Sequence, residues 1–73
     1  MSYLDAKKLS ELLISKNNTV AVAESCTGGS LATSLTSIPG ASSFFNCGFI
    51  TYSNESKVNM LNVDSESIDL FGA

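Results

Sequence analysis

A short apolar run, Val20-Ala21-Val22-Ala23, stops at Glu24-Ser25-Cys26-Thr27-Gly28-Gly29-Ser30, and Leu31-Ala32 then opens a segment without strand-type alternation. This order predicts a strand that turns sharply into a helix through Ser, Thr and Gly. Such a turn presents a hydroxyl at the carboxyl end of the strand. It also brings up a helix start, whose first backbone N–H groups have no partner within the helix and favour anions. The rest of the chain reads as support for that point, or as a partner reaching toward it.

Ahead of it, Ser2 through Lys16 reads as an amphipathic helix. Ser2 with Asp5 resembles a capping box, and Ala6, Leu9, Leu12 and Leu13 recur at helical spacing and predict a buried stripe. Asn17-Asn18 supplies the exit turn, because Asn tolerates left-handed backbone. The first strand runs from Thr19 to Glu24, and its apolar character is the type expected where helices cover both sheet faces. A second helix is expected from Gly28 or Gly29 to about Ser37, with Leu31, Leu35 and Ile38 inward, ended by Pro39-Gly40.

Phe44 through Tyr52 reads as the second strand. Strict alternation puts Phe45, Cys47, Phe49 and Thr51 on one face and Phe44, Asn46, Gly48, Ile50 and Tyr52 on the other. Gly48 marks a bulge or a close backbone approach. Ser53 or Asn54 can cap a short helix to about Leu61, and Asp64 or Ser65 another through Phe71. Alternating strands and helices imply an α/β fold, a layered α/β/α sandwich with a mixed or partly parallel sheet, here only its first part. Two strands do not make such a sheet stable, so more chain or another subunit, such as a second copy, is expected to complete it. The closing Asp69-Leu70-Phe71-Gly72-Ala73 reads as a helix end whose glycine leads into a further element, cut rather than finished.

Composition narrows the chemistry. A chain of 73 residues is at most one domain, and at this size only about 60% of the unfolded surface is buried on folding. The net charge is −3 and the four cations are all Lys, so the electrostatic footprint of a nucleic-acid binder is missing. No apolar run is long enough to span a bilayer, and Met1 through Lys8 lacks the basic-then-apolar order of a signal peptide. A cytoplasmic location is therefore expected, with Cys26 and Cys47 reduced. The absence of histidine removes Ser-His and Cys-His couples and any His-ligated metal. No metal or cofactor is expected, and a catalytic base must be Lys, Tyr, Asp or Glu.

Each candidate has two readings. Ser25 can be a nucleophile at a strand end, or simply the helix N-cap. The spacing is not that of the Gly-x-Ser-x-Gly elbow. Cys26 can be an activated thiolate at the helix start, or a small buried filler. Thr27-Gly28-Gly29-Ser30 can cradle a phosphate, although it is neither a P-loop nor a dinucleotide fingerprint; otherwise it is a tight turn. Lys57, the only cation after residue 16, can serve as a general base when desolvated, or lie solvated on a helix. Tyr52, at the end of the second strand, can relay a proton or hold a ligand; otherwise its tip is merely wet. Glu24 can orient Lys57 or accept backbone hydrogen bonds. No Ser-x-x-Lys spacing occurs at Ser25, so the fold itself must assemble any Ser–Lys pair.

Two blocks in order then carry a family likeness. Ala23-Glu24-Ser25-Cys26-Thr27-Gly28-Gly29, with Leu31-Ala32, Leu35-Thr36 and Pro39-Gly40-Ala41-Ser42, resembles the opening of the CinA C-terminal domain. Gly48-Phe49-Ile50-Thr51-Tyr52-Ser53-Asn54-Glu55-Ser56-Lys57 resembles that domain's next motif, and Leu61, Val63 and Gly72-Ala73 fit the continuation. The resemblance implies a nicotinamide-nucleotide amidase of the PncC type, hydrolysing nicotinamide mononucleotide to nicotinate mononucleotide and ammonia in pyridine-nucleotide salvage. It makes Ser25 the nucleophile, Lys57 its base and Tyr52 an assistant, with Glu24, Thr27, Gly28 and Gly29 lining the substrate pocket. Domains of this family continue through a further Gly-rich motif, so residues 1–73 would be the N-terminal part of one such domain. An inactive remnant, a non-catalytic phosphate- or nucleotide-binding fragment, and a Cys26 nucleophile are the alternatives.

Overall fold

The computed structural model describes residues 1–72; Ala73, with its part in the likeness at Gly72-Ala73, lies outside the described residues. Helix α1 (Tyr3–Ser15) starts where Ser2 Oγ accepts the Asp5 N–H at 3.1 Å. It ends at Asn17, whose φ of 54° turns the chain toward strand β1 (Val20–Glu24). Helix α2 (Ser30–Thr36) follows the turn, and a 3-10 turn at Ala41–Ser43 leads into strand β2 (Phe45–Ile50). Helix α3 (Asn54–Leu61) is capped by Ser53, whose Oγ accepts the Ser56 N–H. Helix α4 (Ser65–Phe71) is capped by Asp64, whose carboxylate accepts the Glu66 N–H.

The two strands pair in parallel, with α2 as the crossover. The protein is thus of the α/β class, a strand–helix–strand unit preceded by one helix and followed by two. Ala6, Val22, Leu35, Ile38 and Phe44 form the core, with Leu9, Leu13, Val20, Leu31, Ala32, Ala41 and Phe45 packed around it. Phe44 and Ala6 are wholly buried. Helices cover the sheet face that carries Val22. On the opposite face Ala21, Ala23, Cys47 and Phe49 are exposed, in contrast to the expectation of two covered faces. Helices α3 and α4 pack chiefly on each other. They help to give an elongated molecule, with a radius of gyration of 14.4 Å against about 11 Å for a compact chain of this length.

Three expectations change. The buried stripe of α1 runs through Ala6 and Ser10, with Leu9 and Leu13 alongside, while Leu12 is 51% exposed. Ser10 tolerates burial because its hydroxyl donates to the Lys7 carbonyl at 2.7 Å. Strand β2 is shorter than Phe44–Tyr52, since Phe44 closes the 3-10 turn, though the Thr51 N–H still donates to the Glu24 carbonyl at 2.8 Å. The third change concerns the faces. The register shifts between Val20 and Ala21, because Val20 pairs with Phe45 and Ala21 with Cys47. The extra residue, Asn46, breaks the alternation. Phe45 therefore packs toward the core, with its ring tip 3.7 Å from where a Gly48 side chain would begin. It does not share a face with Cys47 and Phe49.

Gly48 itself marks a close approach, and the bulge lies two residues before it. A Cβ at Gly48 would stand 2.9 Å from Val22 Cγ2 on the neighbouring strand. Val22 is β-branched and cannot easily turn aside. Gly48→Ala is expected to lower stability by about 1–3 kcal/mol in urea denaturation. In a Val22→Ala background the same change is expected to cost measurably less, and equal costs in the two backgrounds would show that the contact does not govern this position.

Candidate active site

The turn after β1 is built by two glycines and one acid. Gly28 and Gly29 have φ of 62° and 104°, backbone that other residues adopt only with strain. Inside the turn, the Gly28 N–H donates to the Ser25 carbonyl and the Ser30 N–H to the Thr27 carbonyl. Gly29 occupies the N-cap position of α2 and has no side chain to offer. Ser25, one of whose readings was that cap, sits four residues too early for it.

Glu24 caps the helix instead. Its Oε1 accepts the Leu31 N–H at 2.7 Å and the Thr27 hydroxyl at 2.9 Å, and its Oε2 accepts the Ala32 N–H at 3.1 Å. The residue is 5% exposed, so the chain's own carboxylate fills the anion-favouring start of α2. Burial pushes the carboxyl up, and the hydrogen bonds from Leu31, Ala32 and Thr27 together outweigh it, holding the group below its ordinary value of 4.5. Of the two readings of Glu24, the structure realises the acceptance of backbone hydrogen bonds. Gly29 leaves room for this arrangement: a Cβ there would stand 3.0 Å from Ile50 Cδ1 and 4.0 Å from Glu24 Oε2.

Ser25, Cys26, Tyr52 and Lys57 line one open cleft of about 380 Å³. Ser25 and Cys26 come from the turn after β1, Tyr52 from the segment after β2, and Lys57 from the first turns of α3. Parallel pairing aligns the carboxyl ends of both strands, which is why the two sequence blocks meet. Ser25 and Lys57 are half-buried, and Cys26 is exposed rather than a buried filler. Tyr52 is 72% exposed, and the cleft is open on that side. Both cysteines are free.

Thr27 and Gly28 are exposed on the turn, Gly29 is buried beneath Ile50, and Glu24 faces α2. None of these four lines the cleft. At the start of α2 the N–H groups of Leu31 and Ala32 are already taken by Glu24. Among the described residues, the N–H groups of Cys26 and Thr27 are free of backbone partners. Sequence reasoning allowed Glu24 to accept backbone hydrogen bonds but did not name Leu31 and Ala32 as the donors that close the turn. An acid ending an apolar strand, ahead of a helix whose cap is glycine, was the available signal.

Strand, turn, crossover helix and strand define an α/β protein with a Ser- and Lys-lined cleft at the carboxyl ends of parallel strands. The model of the CinA C-terminal domain matches residues 4–73. The chain belongs to that family. It is 54% identical over 63 residues to a competence-damage inducible protein of Caldicellulosiruptor saccharolyticus, covering 86% of this chain and 15% of that protein. It is 52% identical over 65 residues to a CinA-like protein of Petrotoga mobilis, covering 89% of this chain and 16% of the relative. The crystal structure of competence damage-inducible protein A from Klebsiella pneumoniae superposes with a TM-score of 0.94 at 32% identity, over 97% of this chain and 44% of that one. A competence/damage inducible protein of Agrobacterium tumefaciens superposes with a TM-score of 0.82 at 41% identity, over 94% and 44%. The chain thus spans less than a fifth of those two curated relatives and less than half of those two solved chains. No helix is long and apolar enough to cross a membrane among the described residues.

The Glu24 hydrogen bonds set a pH dependence. A carboxyl whose folded value is lowered contributes stability above its unfolded value, about 4.5, and loses that contribution as pH falls through the folded value. Urea midpoints are expected to drop below about pH 4.5, and Glu24→Gln to flatten that part of the profile. An unchanged slope in the variant would assign the acid sensitivity to other carboxylates.

Proposed function

We propose that the chain carries the nucleophile and base of an amidase acting on the carboxamide of nicotinamide mononucleotide, and forms the first part of a CinA-type domain. The observation that supports this reading best is the shared cleft of Ser25, Tyr52 and Lys57 at the strand ends. In this reading the neutral amine of Lys57 takes the Ser25 hydroxyl proton as Oγ attacks the carboxamide carbon. The carbonyl oxygen becomes an oxyanion beside the free N–H of Cys26, the residue after the nucleophile. The lysine returns the proton to the departing nitrogen, and ammonia leaves. Water then attacks the acyl-enzyme, giving its proton to Lys57 and releasing the carboxylate, with Ser25 reprotonated. Tyr52 holds the substrate or passes the proton.

The phosphate-cradle alternative draws less support, because Glu24 already occupies the N–H groups of Leu31 and Ala32. A Cys26 nucleophile draws on the same cleft and is separated by mutation. Ammonia release from nicotinamide mononucleotide is expected to vanish in Ser25→Ala, to fall by about 10²–10⁴-fold in Lys57→Ala, and to persist in Cys26→Ala. Activity that survives Ser25→Ala and disappears in Cys26→Ala would move the chemistry to the thiol. A folded wild-type chain that releases no ammonia would favour a non-catalytic role.

A further inference from the structure

Glu24 is buried beside the cleft, yet the proposed chemistry does not use it. Its place in the chain is specific. The carboxylate accepts from Thr27 within the turn and from Leu31 and Ala32 beyond it. Its main-chain carbonyl accepts the N–H of Thr51, the residue before Tyr52. Ser25 follows Glu24 directly, so one residue is tied to both walls of the cleft. The backbone tie to Thr51 fixes the strand end, and only the side chain fixes the turn against it.

We propose that Glu24 is a positioning residue, whose carboxylate holds the Ser25–Cys26 turn at a set distance from Tyr52 and Lys57. The inference rests on the amidase reading for its kinetic consequence, but its geometric consequence is independent of that reading. Without the carboxylate, residues 25–30 keep their internal Gly28–Ser25 and Ser30–Thr27 hydrogen bonds, but two glycines stand in left-handed backbone and no side chain ties the turn back to the strand end. The turn then samples other positions, and the hydroxyl and thiol on it move relative to the far wall. Mere helix capping would lower stability without shifting the turn, so the two roles part experimentally.

Two measurements on the full 73-residue chain separate them, at a temperature where circular dichroism shows each variant folded. In ammonia release, Glu24→Gln and Glu24→Ala are expected to lower kcat by about 10–100-fold, the scale of an ångström-size misplacement, with KM within about threefold of wild type. Glu24→Asp, which keeps the charge but is one methylene shorter, is expected not to rescue kcat. In a Cys47→Ala background, iodoacetamide modifies Cys26 alone, and Glu24→Asp, which keeps the charge beside the thiol, is expected to change that rate by at least about threefold. Wild-type kcat in folded Glu24→Ala overturns the proposal. If the wild type itself releases no ammonia, the amidase reading fails separately and the Cys26 rate decides. An unchanged rate overturns the positioning role, and a changed rate sustains it.

Discussion

A helix start leaves several backbone N–H groups without partners, and a buried carboxylate is costly until donors surround it. In this protein each need answers the other. Glu24 ends a strand and reaches seven and eight residues forward to the first turn of α2, with the Thr27 hydroxyl as a third donor. Strand end, turn and helix start become one unit. The core above it depends on that unit, since Val22 belongs to the same strand and Leu35 to the same helix. The cleft depends on it as well, because Ser25 sits within the span the carboxylate closes.

Much of this was legible in local pattern. Apolar strand, small polar turn and glycine pair gave the β1–α2 corner. Ser2, Ser53 and Asp64 announced three helix starts through short-range hydrogen bonds that a sequence displays directly. What escaped was non-local or depended on one extra residue. Asn46 shifts the pairing of β2 and so moves Phe45 to the other face, which no count of alternating residues reveals. Ser10 takes a buried position that apolar spacing assigned to Leu12, because a bond to its own helix backbone satisfies its hydroxyl. The family likeness made Glu24 a pocket residue, whereas its hydrogen-bond partners appear only once the turn is folded.

For the site, the two sequence blocks named four residues that meet in one cleft, and four others that do not line it. The division has a physical basis. Ser25 and Cys26 directly follow the end of β1 and Tyr52 follows the end of β2, so parallel pairing brings them together, whereas Glu24, Thr27, Gly28 and Gly29 are taken up by closing the turn onto α2. The cleft is open where Tyr52 stands, and one face of the sheet, with Ala21, Ala23, Cys47 and Phe49, is exposed.

The contact between Val22 and Gly48 has a meaning beyond packing. A two-stranded parallel pair has few features that fix one strand lengthwise against the other. Here a branched side chain fills the single gap in its neighbour, 2.9 Å from where any side chain at position 48 would begin. A slip by one residue would set Cys47 or Phe49 against that branch. It would also carry Tyr52 about 3.3 Å along the strand and reverse its face. The missing side chain at Gly48 therefore acts as a notch on a ruler, and the distance it sets is the one between Ser25 and Tyr52.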